Sequence, residues 1–464
     1  MDKQALDHAV RFIRPWLALR YDREEIPGFV AAIAHDGEVV MNEAYGYADL
    51  ERKVPLSPGH VFRIASHSKT FTATAVMQLA EAGRLRLDDR AAEYLPWLSG
   101  HTDARWSRVT VRQLLAHIGG VIRDGTNADY WQLERPFPDA DRLRQEVLAQ
   151  GLVVDENVKM KYSNYGYSLL GLVVEAVAGL PYNDFVTERI VKPLGLAHTY
   201  PEYAPALEPL LATGYTRKEL GRRLPIGHID THAMSPATGF MSTAEDLCAY
   251  FTAHMVGSGR LLSDESKREM QRVHWHAKVL GESGHEDYGL GMILEEIGKR
   301  HVFGHSGGFP GFITQSKADP KDRLVVVALT NAIDGPAASI VQGIYKTLSW
   351  FQENASDAPA AHDLRHLEGQ YTALWGTTSI VTSGDKIVAA HPDGWSPFDA
   401  VESLAYVDDT TLRVTDTSSF ASEDELVRFS LRDGHVESVD YTGTTMWPRE
   451  AWLARTRDRL RVGG

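Results

Sequence analysis

The chain has 464 residues, 43% hydrophobic and 24% charged, enough for two or three domains with substantial cores. A formal net charge of −14, from 48 Lys and Arg against 62 Asp and Glu, argues against nucleic-acid and anionic-membrane partners. The single cysteine, Cys248, excludes an internal disulfide and any cysteine-rich metal site.

The opening Met1-Asp2-Lys3-Gln4 carries no apolar leader, and no window approaches 18 uncharged apolar residues, so a cytoplasmic location without a membrane partner is expected. Ala5, Val10, Ile13 and Leu17 recur at helical spacing and predict an amphipathic helix over 1–22. Gly28 to Ala34 and Val39 to Tyr45 read as strands joined at His35-Asp36-Gly37-Glu38, an Asp-Gly hairpin signal. A short apolar run then ends at Ser66. The helix-favouring run behind it stops at Gly83, placed where a C′ glycine is expected. Ser66 is therefore predicted as the first residue of a buried helix.

Residues 85–230 mix helical and loop segments and predict a largely helical subdomain that walls one side of a cleft. Ser242-Thr243-Ala244-Glu245 matches a capping box opening another helix, in which Cys248 reads as a buried small hydrophobe. From Tyr288 to Asn331 the pattern returns to strands at Leu290–Leu294, Thr314–Lys317 and Leu324–Leu329, with turns at 308–311 and 319–320, and Ala337–Trp350 reads as a closing helix. An early hairpin sharing a sheet with late strands predicts one α/β layer with a helical insertion. Residues 353–361 are small, polar and Pro-containing, a linker signal. Beyond it, short alternating strands at 378–382, 386–389, 403–407, 411–414, 426–430 and 436–441 predict a small antiparallel barrel or sandwich.

Three motifs carry chemistry. Lys69 lies three positions after Ser66, so the two side chains stack on one helical face, one turn apart. A serine hydroxyl needs a proton acceptor to act as a nucleophile. A lysine serves only if burial and a nearby cation lower its pKa from about 10.4. Tyr162-Ser163-Asn164 precedes Tyr165-Gly166-Tyr167-Ser168 and the apolar helix 169–178; a tyrosine on that loop offers a second proton carrier and Asn164 an amide to orient a substrate carbonyl. His305-Ser306-Gly307-Gly308 follows an apolar pair; on an edge strand, the Gly308 N–H would join that of Ser66 in an oxyanion hole. Gly304-His305-Ser306-Gly307-Gly308 also fits the G-x-S-x-G elbow, but that elbow needs a following helix and Phe309-Pro310-Gly311 opposes one. His274-Trp275-His276 is the only tight histidine pair and lacks carboxylate company; it reads as a surface loop, and no metal is expected.

Ser66-x-x-Lys69, Tyr162-x-Asn164 and His305-x-Gly307, in this order, resemble the serine DD-peptidase and class C β-lactamase superfamily of penicillin-binding-protein-like serine hydrolases. Phe62 to Ala65, Leu114 to His117 and Pro236 to Leu247 resemble the same family, over residues 20–350. The tail resembles the lipocalin-like barrel of some members, opening at Leu367-Glu368-Gly369-Gln370-Tyr371. The resemblance implies an α+β fold: an α/β/α sandwich on an antiparallel sheet over 1–352, with the helical subdomain inside it, and a barrel domain over 362–464. It implies that Ser66 is acylated, that Lys69 and Tyr162 relay its proton, and that His305 tunes Tyr162 or contacts substrate. Gly308 supplies the second oxyanion N–H, Asn164 and Gly307 line the substrate, and no cofactor is called for.

Relatives with Lys-Thr-Gly in the third motif hold a permanent cation there. Histidine, with a pKa near ~6.5, is mostly neutral at pH 7 and binds carboxylate less strongly. That leans away from β-lactamase and cell-wall carboxypeptidase activity. The expected activity is that of a D-aminopeptidase, D-amino-acid amidase or esterase. A penicillin-binding-protein-type thioesterase is the alternative, cyclising a peptidyl thioester delivered by a peptidyl carrier protein. A protein that only binds peptide would not need the whole proton relay.

Overall fold

A computed structural model describes residues 1–278, 285–356, 361–417 and 422–459. Residues 357–360 of the expected linker, and 418–421 and 460–464 of the expected barrel domain, lie outside the described residues. Contacts divide the chain into two compact units, Ile26–Val341 and Met1–Glu25 with Gln342–Gly464.

The first unit is built on a nine-stranded sheet, antiparallel throughout. Its order is Val54–Pro55, Glu38–Asp49, Gly28–His35, Leu324–Thr330, Phe312–Asp319, Arg300–Phe309, Ile293–Ile297, His285–Tyr288 and Trp275–Lys278. The Val-rich run Leu324–Thr330 is buried along its whole length and lies inside the sheet, as an unbroken apolar strand must. The predicted hairpin forms, with Asp36 at φ 52° and Gly37 at φ 86°, the left-handed pair a two-residue turn demands. The strand expected at Leu290 starts instead at Ile293, because Gly289-Leu290-Gly291 turns back on itself, with Gly291 at φ 73° and the Gly289 N–H on the Met292 carbonyl.

The strand Arg300–Phe309 is interior to the sheet, not an edge strand as expected. Its ladder to Ile293–Ile297 nevertheless ends at the Ile293–Gly304 pair. From His305 to Phe309 it is paired only to Phe312–Asp319, so this half is a local edge.

The helix Ser68–Glu81 ends as predicted, in a Schellman motif: the Gly83 N–H bonds the Ala80 carbonyl and the Arg84 N–H that of Leu79, with Gly83 at φ 65°. The next expected cap shifts by one residue. Ser242 is taken up in a short pair between Phe62–Arg63 and Met241–Ser242, so Thr243 caps the helix Ala244–Ala253 by accepting from the Asp246 N–H. Cys248 is buried in that helix. The helical subdomain includes the helices Val111–Leu115, Ala140–Leu148, Asn164–Ala178 and Tyr182–Val186, joined by loops. Among the described residues no single helix is long and apolar enough to cross a membrane.

In the second unit, eight strands from Gly369–Ala373 to Thr444–Pro448 close into an antiparallel barrel, which decides between barrel and sandwich. The closing strand Thr444–Pro448 and the helix Arg449–Arg459 are not among the predicted elements. Tyr371, Ile380, Leu412, Val414, Val427, Phe429 and Val439 fill the barrel. The predicted N-terminal helix is Lys3–Arg23, N-capped by Asp2. It is fastened to the loop 393–398 of the same unit: Trp16 donates to the Gly394 carbonyl at 3.1 Å and packs edge-on against Trp395, and Phe12 meets Phe398 at 4.8 Å. Replacing a buried aromatic by alanine costs about 3–5 kcal/mol. Trp16→Ala is expected to lose about that much in a denaturant titration.

Candidate active site

Between Val61 and Met77 every residue is buried except Ser66. The chain leaves the strand Phe62–Arg63, turns through Ala65 at φ 49°, and makes a single 3₁₀ turn over Ala65–His67 before the α-helix starts at Ser68. Ser66 thus sits in the turn before the α-helix, not as its first residue. The left-handed Ala65 is what lifts the serine out of the wall.

The i, i+3 stacking holds. Lys69 is completely buried, with its Nζ 3.1 Å from Ser66 Oγ, 2.7 Å from Asn164 Oδ1 and 2.8 Å from the Ala237 carbonyl. Burial pulls its pKa far below the ordinary lysine range; the Asp124 carboxylate opposes this and the Arg123 charge adds to it. A neutral amine has two hydrogens and one lone pair. Two acceptor oxygens engage the hydrogens, and the lone pair is left for the Ser66 hydroxyl.

The Tyr162 ring lies under Lys69 with Nζ 4.8 Å from the centroid, and its phenol neighbours the Ser66 side chain. Burial raises its pKa and the neighbouring Ser66 side chain works against that, so Tyr162 stays protonated at neutral pH. The segment is held by its own helix start: Ser163 Oγ accepts from the Gly166 N–H, and the Arg123 carbonyl accepts from the N–H groups of Asn164 and Tyr165. Asn164 is buried; its Oδ1 takes Lys69 and its Nδ2 donates to Asp124 at 2.6 Å. Arg123 Nε donates to the other oxygen of that carboxylate.

His305 is also buried. Its Nδ1 donates to the Ser306 carbonyl at 2.6 Å, which leaves Nε2 to accept from the Tyr288 hydroxyl at 3.2 Å. Its described hydrogen bonds therefore run to Tyr288 and not to Tyr162. His117 completes the aromatic group, with its ring 4.3 Å from Tyr162 and 4.9 Å from both Tyr167 and Tyr288. Burial holds both His117 and His305 well below the usual histidine range. A Cβ on Gly307 would lie 2.2 Å from the Ile64 carbonyl, so Gly307 and Gly308 run directly beside the serine turn. Ser306 is exposed on this strand and no helix follows it, so no nucleophile elbow forms at G-x-S-x-G.

Ser66, Lys69, Tyr162 and Asn164 are thus gathered around one hydroxyl. Asp124, Tyr288 and the Ala237 carbonyl also lie at the site and were missed in the sequence, while His117, quoted there only as part of a family-like stretch, packs against Tyr162. For Asp124 the available signal was a charged Arg-Asp pair between Gly120 and Gly125. Ala237 acts through its backbone, in the π-turn Ser235–Gly239, and its side chain carries no signal.

The beta-lactamase family model matches residues 12–343. Protein flp of Staphylococcus aureus is 28% identical over 309 residues; the match takes in 66% of this chain, which spans only 60% of that relative's length. Among solved structures, the octameric penicillin-binding protein homologue of Pyrococcus abyssi shares the fold over 94% of this chain and 99% of its own, with a TM-score of 0.65 at 22% identity. The D-amino acid amidase of Ochrobactrum anthropi SV3, solved with L-phenylalanine, shares it over 75% and 98%, with a TM-score of 0.62 at 24% identity.

The charges around Lys69 set the pH at which it becomes a base. The Asp124 carboxylate favours the ammonium and Arg123 disfavours it. Asp124→Asn is therefore expected to move the acid limb of kcat/KM to lower pH, and Arg123→Gln to move it to higher pH. Profiles with an ester whose leaving group does not titrate in the range check both.

Proposed function

The chain belongs to the beta-lactamase family, and from that premise we propose that it is a serine hydrolase that works through an acyl-enzyme on the amide or ester bonds of D-amino-acid-containing peptides. The observation that carries this reading is the Lys69 amine, buried, tied to two carbonyl oxygens, and facing Ser66 Oγ at 3.1 Å.

In this mechanism Lys69 takes the Ser66 proton while Oγ attacks the substrate carbonyl carbon. The resulting oxyanion is met by the N–H groups of Ser66 and Gly308, each worth a factor of about 10²–10³ in kcat where such donors have been removed. The Tyr162 phenol passes a proton to the leaving nitrogen or oxygen and is itself reprotonated from Lys69, so the C–N or C–O bond breaks without releasing a bare anion. Water then attacks the acyl-enzyme, losing a proton to the same pair, and Ser66 leaves as the hydroxyl. Asn164 holds Lys69 in line and His305 holds the strand of Gly308.

The likeness in fold to a D-amino acid amidase supports the choice of substrate, as does the third motif. There His305 is buried and uncharged, and so gives a substrate carboxylate no cation to bind.

A fluorophosphonate probe should add one label, lost in Ser66→Ala. Labelling that survives Ser66→Ala but is lost in Ser306→Ala would overturn the assignment. Tyr162→Phe should lower kcat by about 10²-fold or more. Matched D- and L-phenylalanine amides and 4-nitrophenyl esters test the substrate, and equal turnover of both stereoisomers would refute the D-residue preference.

A further inference from the structure

We infer that His67, the residue after the nucleophile, is a positioning residue that sets the oxyanion hole by holding the Ile64 carbonyl. The inference rests on the acyl-enzyme reading above and concerns how the Ser66 N–H is aimed.

A left-handed alanine such as Ala65 is strained and persists only where its surroundings over-determine it. Turning the peptide groups on either side of Ala65 would relieve the strain and swing the Ser66 N–H away from Gly308. What prevents this is the Ile64 carbonyl, which accepts from three donors: the His67 ring Nδ1 at 2.9 Å, the His67 backbone N–H at 3.2 Å and the Thr314 hydroxyl at 3.4 Å.

The ring is itself anchored. With Nδ1 donating to Ile64, Nε2 accepts from the Ser316 hydroxyl at 2.9 Å, on the strand that pairs with His305–Phe309. His67 is completely buried, and burial brings its pKa to about 4, so it stays in this neutral tautomer throughout the neutral range. The same carbonyl lies 2.2 Å from where a Gly307 Cβ would be, so its position also fixes how closely Gly308 approaches Ser66. One imidazole thus ties the serine turn to the strand Phe312–Asp319, and the carbonyl it holds packs against Gly307 on the neighbouring strand. His67 touches no reacting atom; it acts through Ile64.

Two amide side chains separate the functions of the two ring nitrogens. Asparagine can place a donor where Nδ1 stands, and glutamine reaches instead to the place of Nε2. The readout is the ratio of kcat/KM for 4-nitrophenyl acetate to that for its thiono analogue, in which sulfur replaces the carbonyl oxygen. Sulfur is larger and a weak acceptor, so a well-formed oxyanion hole favours the oxygen ester.

His67→Gln should lower kcat for the oxygen ester by about 100-fold with little change in KM, and bring the ratio towards one. His67→Asn should stay within a few-fold of wild type in both. Ser316→Ala removes one bond on a neighbouring strand and should lower the ratio in the same direction by less, which keeps the test open if His67→Gln does not fold. A wild type that is not acylated at Ser66 overturns the hydrolase reading and this inference with it. An acylated wild type whose ratio is unchanged in folded His67→Gln, or in Ser316→Ala, overturns this inference alone, as does a His67→Asn no better than His67→Gln.

Discussion

The site depends on a lysine that cannot be both buried and charged at low cost. Lys69 is completely buried, and its two carbonyl partners, Asn164 Oδ1 and Ala237 O, carry partial rather than full negative charge. Each pKa unit of displacement is about 1.4 kcal/mol of preference for the neutral form. The rest of the fold therefore has to supply the burial. It does so with a dense aromatic core around the helix Ser68–Glu81, where Phe71 stacks on Tyr250 at 3.9 Å and on Phe240 at 4.4 Å.

Burial alone would leave the amine free to swing away from the serine. The orienting groups come from distant parts of the chain: the Ala237 carbonyl, and Asn164 with Asp124 behind it and Arg123 behind Asp124. The loop that brings Asp124 there folds tightly on itself. Gly120, at φ 72°, passes so close to the Val154 carbonyl that a Cβ would lie 2.0 Å from it. Arg123 plays two parts, since its backbone carbonyl also caps the helix that begins at Asn164. A change in this loop thus acts on the base and on the Tyr162 segment together.

Much of this was legible in the sequence because it is written in side chains at fixed spacing. Ser66 and Lys69 are one helical turn apart, the Asp-Gly hairpin and the Gly83 cap carry their own backbone signatures, and the order of the three motifs pairs with the family. The parts that were missed have physical reasons. The 3₁₀ turn at Ala65 is invisible because alanine has no preference for positive φ, and only the packed structure imposes it. Thr243 displaced Ser242 as cap because a two-residue strand pair, set by tertiary contacts, consumed Ser242 first. The strand Arg300–Phe309 is interior because Ile293–Ile297 pairs with its first half, and the shift of that strand's start from Leu290 to Ile293 leaves His305–Phe309 as a local edge.

Three histidines, His67, His117 and His305, surround the serine and lysine, and burial keeps all of them neutral. In a cleft of low effective dielectric, a permanent cation in the third motif would bind a substrate carboxylate, and it would also lower the lysine pKa further. With histidine in that place neither effect operates, and Lys69 is tuned by its burial and by the Asp124–Arg123 pair alone. The third motif is thereby reduced to geometry: His305 anchors to Tyr288, and the glycines after it allow the strand to press against the serine turn.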